Sequence, residues 1–297
     1  MSENRTAAAF GVATLGIACF SAMDAIMKGL SLSIGTYNAL LWRTLAGAVI
    51  GAIVFFGRRM TWPARSVMRI HLKRGVVGTI TAGFFFWGLA RVPMAQAIAL
   101  SFIAPLIALF LAAIILGERV TRQAVFASFF GFGGVLVILA GQAEAEMGRD
   151  AMLGAVAILI AAVAYAYNII LMRQQALAAG PIEIAFFMSA IMSGCFLLAS
   201  PFLAVPPPLE DLPAIGGAAV LAFASLLLLA WAYARTEAQF LAPVEYTGFI
   251  WAALFGYLVF GESVMPMTLA GAAMIVAACL IAARQKPVSM GEMEAGL

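Results

Sequence analysis

Residues 90–120 read ARVPMAQAIALSFIAPLIALFLAAIILGERV, and residues 234–264 read ARTEAQFLAPVEYTGFIWAALFGYLVFGESV. Both open on Ala-Arg, run through a long apolar stretch interrupted by proline, and close on a Gly-Glu corner. The corners are Leu116-Gly117-Glu118-Arg119-Val120 and Phe260-Gly261-Glu262-Ser263-Val264. The Ala-Arg pairs and the Gly-Glu pairs keep one offset of about 144 residues, close to half the chain, as a duplication predicts. Further out, Gly131 and Gly271 each begin a similar helix of small and branched residues. Gly11 and Gly154 each open a helix that ends on Met27-Lys28 or Met172-Arg173.

The composition fits a chain whose solvent is lipid. Of 297 residues, 64% are apolar and 10% charged, too few charges to cover a soluble domain of this length. The net charge of +3, with no basic stripe carrying interleaved aromatics, argues against a nucleic-acid partner. Cys19, Cys195 and Cys279 all stand in apolar runs, an odd and widely spaced set that reads as packing residues rather than as disulfides or a metal site. The one histidine, His71, reads as part of a basic loop with no second ligand nearby, and no cofactor is expected. The first apolar run contains Asp24 and Lys28, which a cleaved signal core would not hold, so it reads as a retained helix.

A spanning helix needs roughly 20 apolar residues. Punctuation by Gly, Pro and charge gives ten spans: Ala7–Leu30, Thr36–Gly57, Gly75–Ala90, Met94–Leu116, Gln123–Gly141, Ala151–Met172, Ile182–Leu203, Ala214–Ala234, Phe240–Phe260 and Met267–Ala283. The expected fold is an all-α integral membrane protein, since the backbone must satisfy its own hydrogen bonds in lipid. Two five-helix repeats are expected, 1–146 and 147–297. Because five is odd, two halves of one fold must insert upside down relative to each other. Inverted repeats of that kind place a substrate site between them near the membrane midplane.

The segment 58–74 holds Arg58, Arg59, Arg65, Arg69, Lys73 and Arg74 and no acid, which marks it as cytoplasmic. Threading from there puts Arg5, Arg119, Arg122, Arg173, Arg235, Arg284 and Lys286 on the same side, and both termini with them. The other face receives Lys28, Arg91 and Arg149 beside six acids. The expected location is therefore a bacterial-type inner membrane, crossed several times, with both termini in the cytoplasm.

The doubled layout and the two Gly-Glu corners, Gly117-Glu118 and Gly261-Glu262, closely resemble the drug/metabolite transporter superfamily and its ten-helix EamA-type exporters. The resemblance covers the chain from about Ala9 to Ala283. It implies a secondary transporter of small metabolites, with helices three and four of each half lining a central cavity and helix five at the edge. The aromatic-rich interior is similar to YddG-type exporters of aromatic and neutral amino acids, while other members move purines, nucleotide sugars or S-adenosylmethionine. The second half departs from the first at Met265-Pro266-Met267, where the first has Thr121-Arg122-Gln123.

Ionisable groups at membrane depth face a pathway or a partner. Asp24 and Lys28 stand four apart on one helix face, able to pair with each other, and Lys28 is near enough to the outer end to snorkel. Arg43 lies seven residues inside Thr36, roughly 10 Å along a helix, and suits either a link to Asp24 or a substrate carboxylate. Glu245 could titrate a coupling proton, bind an ammonium group or sit in water at a cytoplasmic mouth. Ser101 and Pro105 hold the matching place in the first half, where a proline frees carbonyls for a polar solute or merely kinks the helix. Phe84, Trp87, Tyr165, Asn168, Tyr246 and Trp251 are the aromatic and polar candidates for a substrate wall. Trp42 and Trp62 read as interfacial belt residues, and Gly83, Gly88, Gly131, Gly133 and Gly134 as close-packing positions.

An intramembrane enzyme would need a nucleophile with its base, or a metal set, and neither is visible. A sensor should carry a soluble domain, and an ATP-driven pump a Gly-rich phosphate motif with Lys. The remaining partners are a small-molecule substrate, the bilayer and either a coupling proton or none, for a monomer or weak homodimer.

Overall fold

The computed structural model describes residues 3–116, 122–144, 148–233, 244 and 246–283. Among them every regular element is a helix: α1 Glu3–Ser33, α2 Thr36–Gly57, α3 Arg65–Leu89, α4 Met94–Ser101, α5 Ala104–Leu116 and α6 Arg122–Glu144. There follow α7 Gly148–Ala178, α8 Pro181–Leu197, the single turn α9 Ser200–Leu203, α10 Leu212–Tyr233, α11 Thr247–Phe260 and α12 Pro266–Ala283. Among the described residues four stretches are long and apolar enough to cross a membrane: Gly11–Ser33, Thr36–Gly57, Gly148–Met172 and Leu209–Leu229. Five shorter apolar helices stand beside them. The expected boundary at 146 and 147 falls outside the described residues.

Helix ends follow local chemistry. Gly35, at φ 79°, separates α1 from α2 in a conformation that a Cβ would strain. Gly261, at φ 67°, ends α11 in a left-handed cap, where the Gly261 N–H donates to Tyr257 O at 3.0 Å and the Glu262 N–H to Gly256 O at 3.1 Å. Pro105 has no N–H to offer the Ser101 carbonyl, and the span expected at Met94–Leu116 is accordingly broken into α4 and α5. Pro201 accompanies a similar break near the end of the span expected at Ile182–Leu203.

One sequence expectation is corrected outright. The basic segment is not a loop from 58 to 74, because α3 begins at Arg65, and His71 is fully buried on that helix rather than exposed in a loop. On a helix one face of such a charged run turns inward, here His71 and Arg74, while Arg69 and Lys73 stay exposed.

Four antiparallel-looking pairs organise the bundle: α1 packs along α10, α3 along α7, α2 along α8 and α6 along α12. Exchanging first-half for second-half helices in order maps this pattern onto itself. Missing side chains permit the closest crossings. A Cβ on Gly88 would meet Gly154 O at 2.5 Å, and one on Gly271 would meet Gly134 O at 2.5 Å. Gly131 likewise makes room for Leu106. Gly83 faces open space, so the packing expected of it is not found, and Gly133 makes only ordinary contact with Met274.

The polarity is inverted relative to a soluble protein. Ile53, Ile114, Phe129 and Ile250 are exposed on the outside, while Asp24, Lys28, His71, Arg74 and Gln175 are buried. An outer surface of that kind is stable only against hydrocarbon.

Gly88→Leu is expected to destabilise the α3–α7 crossing by about 1–3 kcal/mol, the usual cost of overpacking. Gly83→Ala should be neutral. Melting temperatures of the two variants in detergent check this.

Candidate functional site

α1 presents Asp24 and, one turn later, Lys28. The structure separates their roles. Lys28 neither pairs with Asp24 nor snorkels; it is buried and forms an ion pair with Glu262, while also donating to Val92 O at 2.7 Å. Its ammonium lies 5.2 Å from the centre of the Phe260 ring. The other Glu262 oxygen, Oε2, accepts from the Met94 N–H at 2.7 Å, at the first residue of α4. A carboxylate at a helix N-terminus is favoured by the unpaired N–H groups there. Gly256 leaves the space this carboxylate needs, since a Cβ there would come within 2.7 Å of Oε2. One side chain from the corner after α11 thus binds α1 and α4, and Lys28 adds the loop before α4 through Val92 O.

Asp24 is 1% exposed, and neither carboxylate oxygen has a hydrogen-bond partner. It lies within the electrostatic reach of Arg43 on α2, without forming an ion pair with it. The Arg43 Nε is also buried and unpartnered, and the guanidinium sits 6.0 Å from the Phe86 ring centre. Buried charges normally find a full set of partners. Here three helices, α1, α2 and α3, hold two opposite charges close together with bonding capacity to spare.

The other sequence candidates are scattered. Phe84 and Trp87 lie on the exposed face of α3, with the Arg91 guanidinium 3.6 Å over the Trp87 ring, whereas Phe86 between them is buried. Tyr165 is partly exposed and senses Arg74. Asn168 is buried and accepts from the Arg74 Nε at 3.3 Å. Ser101 Oγ donates to Ala97 O at 2.9 Å, next to the break that Pro105 accompanies. Tyr246 packs edge-on against Phe102 at 5.2 Å, and Trp251 stacks near Phe255 at 6.3 Å. Glu245 lies outside the described residues, as do Gly117 and Glu118. Trp42 donates to Val205 O at 2.9 Å, and Trp62 is exposed.

A second polar group escaped the sequence reading. Arg74 donates to both Asn168 and Gln175, Gln175 bonds to His71, and His71 bonds to Glu183 at 2.9 Å. The available signal was spacing: Asn168 and Gln175 are seven apart in an apolar run, about two helical turns, and therefore share a face.

Buried ionisable groups inside an all-α bundle with a lipid-compatible exterior mark an integral membrane protein. Two segments, residues 8–140 and 152–284, match the model of the EamA-like transporter family, and the chain belongs to that family. The matches begin 144 residues apart, at 8 and 152, the offset of the sequence repeat. Over 281 residues the chain is 26% identical to a pseudopaline exporter of Pseudomonas aeruginosa, covering 93% of this chain and 95% of that one. It is 24% identical over 268 residues to an S-adenosylmethionine uptake transporter of Rickettsia bellii, covering 90% of each. One protein of known crystal structure shares the fold with a TM-score of 0.61 at 19% identity, over 94% of this chain and 99% of that one.

Removing one partner of the buried pair, in Lys28→Met or Glu262→Gln, should cost about 3–5 kcal/mol. The double variant should recover much of it, because a glutamine oxygen still accepts from the Met94 N–H. A thermal-melting double-mutant cycle in detergent measures this, and additive losses would contradict the coupling.

Proposed function

We propose that the chain is a secondary exporter of amino acids, aromatic or neutral, working by alternating access between two inverted five-helix halves, residues 1–146 and 147–297. The observation that carries the substrate class is the Asp24–Arg43 pair: two buried opposite charges with unused bonding capacity. An α-amino acid brings an ammonium for one and a carboxylate for the other, and a guanidinium binds a carboxylate through two parallel hydrogen bonds. Phe86 beside Arg43 gives an apolar or aromatic side chain a surface to lie against. The symmetric pairing of helices supports the inverted halves, and the basic segment 58–74 supports cytoplasmic termini.

The export direction follows the pseudopaline exporter. Several relatives in Rickettsia are named S-adenosylmethionine uptake transporters, which favours a second reading: a carrier of purine, nucleotide-like or S-adenosylmethionine-type solutes. Asp24 and Glu245 are the groups that would carry a coupling proton, and with neither titrating in the cycle the chain would work by facilitated diffusion.

Flux in proteoliposomes, tested with amino acids, nucleosides and S-adenosylmethionine, separates the two readings. Aromatic or aliphatic amino acids are expected to move, and Arg43→Gln to weaken their binding roughly 10- to 100-fold, as for a lost hydrogen bond to a charged group. Their methyl esters, lacking the carboxylate, should bind the same with or without Arg43. Movement of nucleosides or S-adenosylmethionine with no competition from amino acids would overturn the assignment. An imposed pH gradient should drive flux in the parent protein and not in Asp24→Asn; flux indifferent to the gradient means facilitated diffusion.

A further inference from the structure

We propose that the outer face of α3 binds anionic phospholipid at the basic end of the bundle. The headgroup phosphate rests on Arg65, Arg69 and Lys73, and the acyl chains lie along the apolar stripe that continues from them. This lipid site stands apart from the substrate reading above and does not depend on it.

Spacing puts the three cations and the stripe on one face. Arg65, Arg69 and Lys73 are four residues apart, and Val76, Ile80, Phe84 and Trp87 follow at steps of three and four. On a helix such steps keep the side chains on one side. All of them are exposed, whereas His71, Arg74 and Phe86 are buried. The opposite face is taken up by packing: Gly75 and Gly78 lie against Ile191 and Met188 of α8, and Gly88 against Gly154 of α7. Nothing in the bundle therefore covers the side on which the cations stand.

From Lys73 to Trp87 the stripe runs roughly 21 Å along the helix axis. That fits within a hydrocarbon layer of about 30 Å, so the cations reach one headgroup level while Trp87 and Arg91 approach the other. At the Trp87 end the cation is already engaged: the Arg91 guanidinium lies 3.6 Å over the Trp87 ring, and its Nη1 donates to Trp87 O at 2.8 Å. At the basic end the charges are left unanswered by acids. The ion pairs among the described residues are Lys28–Glu262 and His71–Glu183, and neither involves these cations. No Asp or Glu stands in 58–74, and Arg58, Arg59 and the exposed Trp62 lie in the segment leading into α3.

Sidedness in the membrane requires only that cations gather at one end of the spans. It does not require them to share a helix face with the lipid-exposed stripe. The shared face makes a surface in two parts, cationic and then apolar, which complements a molecule with a phosphate anion at one end and hydrocarbon at the other. A guanidinium binds phosphate through paired hydrogen bonds. Each basic residue near an anionic membrane surface strengthens the attraction about five-fold. A zwitterionic headgroup, with no net charge, gains far less.

Native mass spectrometry of delipidated protein, titrated with phosphatidylglycerol and phosphatidylcholine of the same chain length, reads bound lipid directly. Phosphatidylglycerol is expected to bind roughly 10- to 100-fold more tightly, and the preference should shrink as salt is raised. Combining Arg65→Gln, Arg69→Gln and Lys73→Gln should abolish it. The charge-keeping set Arg65→Lys, Arg69→Lys and Lys73→Arg should retain it, which separates lost charge from a lost fold. Arg91→Gln, at the other end of α3, should leave it unchanged. Equal binding of the two lipids, or a preference that survives the glutamine set, would overturn the proposal. So would equal protection from thermal unfolding by inorganic phosphate and by phosphatidylglycerol, since the apolar stripe would then play no part. A second copy of the chain on this face would show as a dimer in the same spectra. It would also cross-link at Ile80→Cys in a background lacking Cys19, Cys195 and Cys279, and would likewise overturn the lipid assignment. No substrate enters these measurements, so failure of the amino-acid assignment leaves the result readable.

Discussion

A charge held inside a lipid-embedded bundle must be answered by another charge, a hydrogen-bond partner or a dipole, and the interior of this protein is arranged around how each one is answered. Lys28 is answered in full: by the Glu262 carboxylate, the Val92 carbonyl and the face of Phe260. Glu262 in turn holds the first turn of α4, so one ion pair fixes the relative positions of α1, α4 and the end of α11. Arg74 is answered by neutral amides, which pass its demand on to His71 and Glu183. Asp24 and Arg43 are answered only in part. The incompletely answered pair is the one on which the proposed substrate site rests.

The architecture was legible because the bilayer imposes a length and a polarity that one sequence displays directly. The second span, Thr36–Gly57, has the same limits in sequence and structure, and the Gly-Glu repeat already pointed to two related halves. Interior detail was less legible. Lys28 was matched with Asp24 because four residues along a helix is a visible spacing, whereas its partner, Glu262, is 234 residues away. His71 and Arg74 were hidden by their neighbours. In a run with Arg69 and Lys73 nothing marks which side chains turn inward, because that depends on what α7 and α8 present. Arg43 stood out in the sequence by its depth along the helix, but nothing there showed that Phe86, rather than Phe84 or Trp87, would be the ring beside it.

Breaks in the helices carry as much consequence as the helices. The interruption between α4 and α5 lies beside the start of α11, and Phe102 at the one touches Tyr246 at the other. These residues are 144 apart, the interval that separates the two family matches. A position that touches its own counterpart lies on the axis relating the halves. In an assembly of two separate identical subunits such a position would always meet a copy of itself, so a phenylalanine could face only phenylalanine. Joining the halves in one polypeptide lifts that restriction. The ring on one side carries a hydroxyl and the ring on the other does not, so the two members of this pair differ in polarity as well as in origin along the chain.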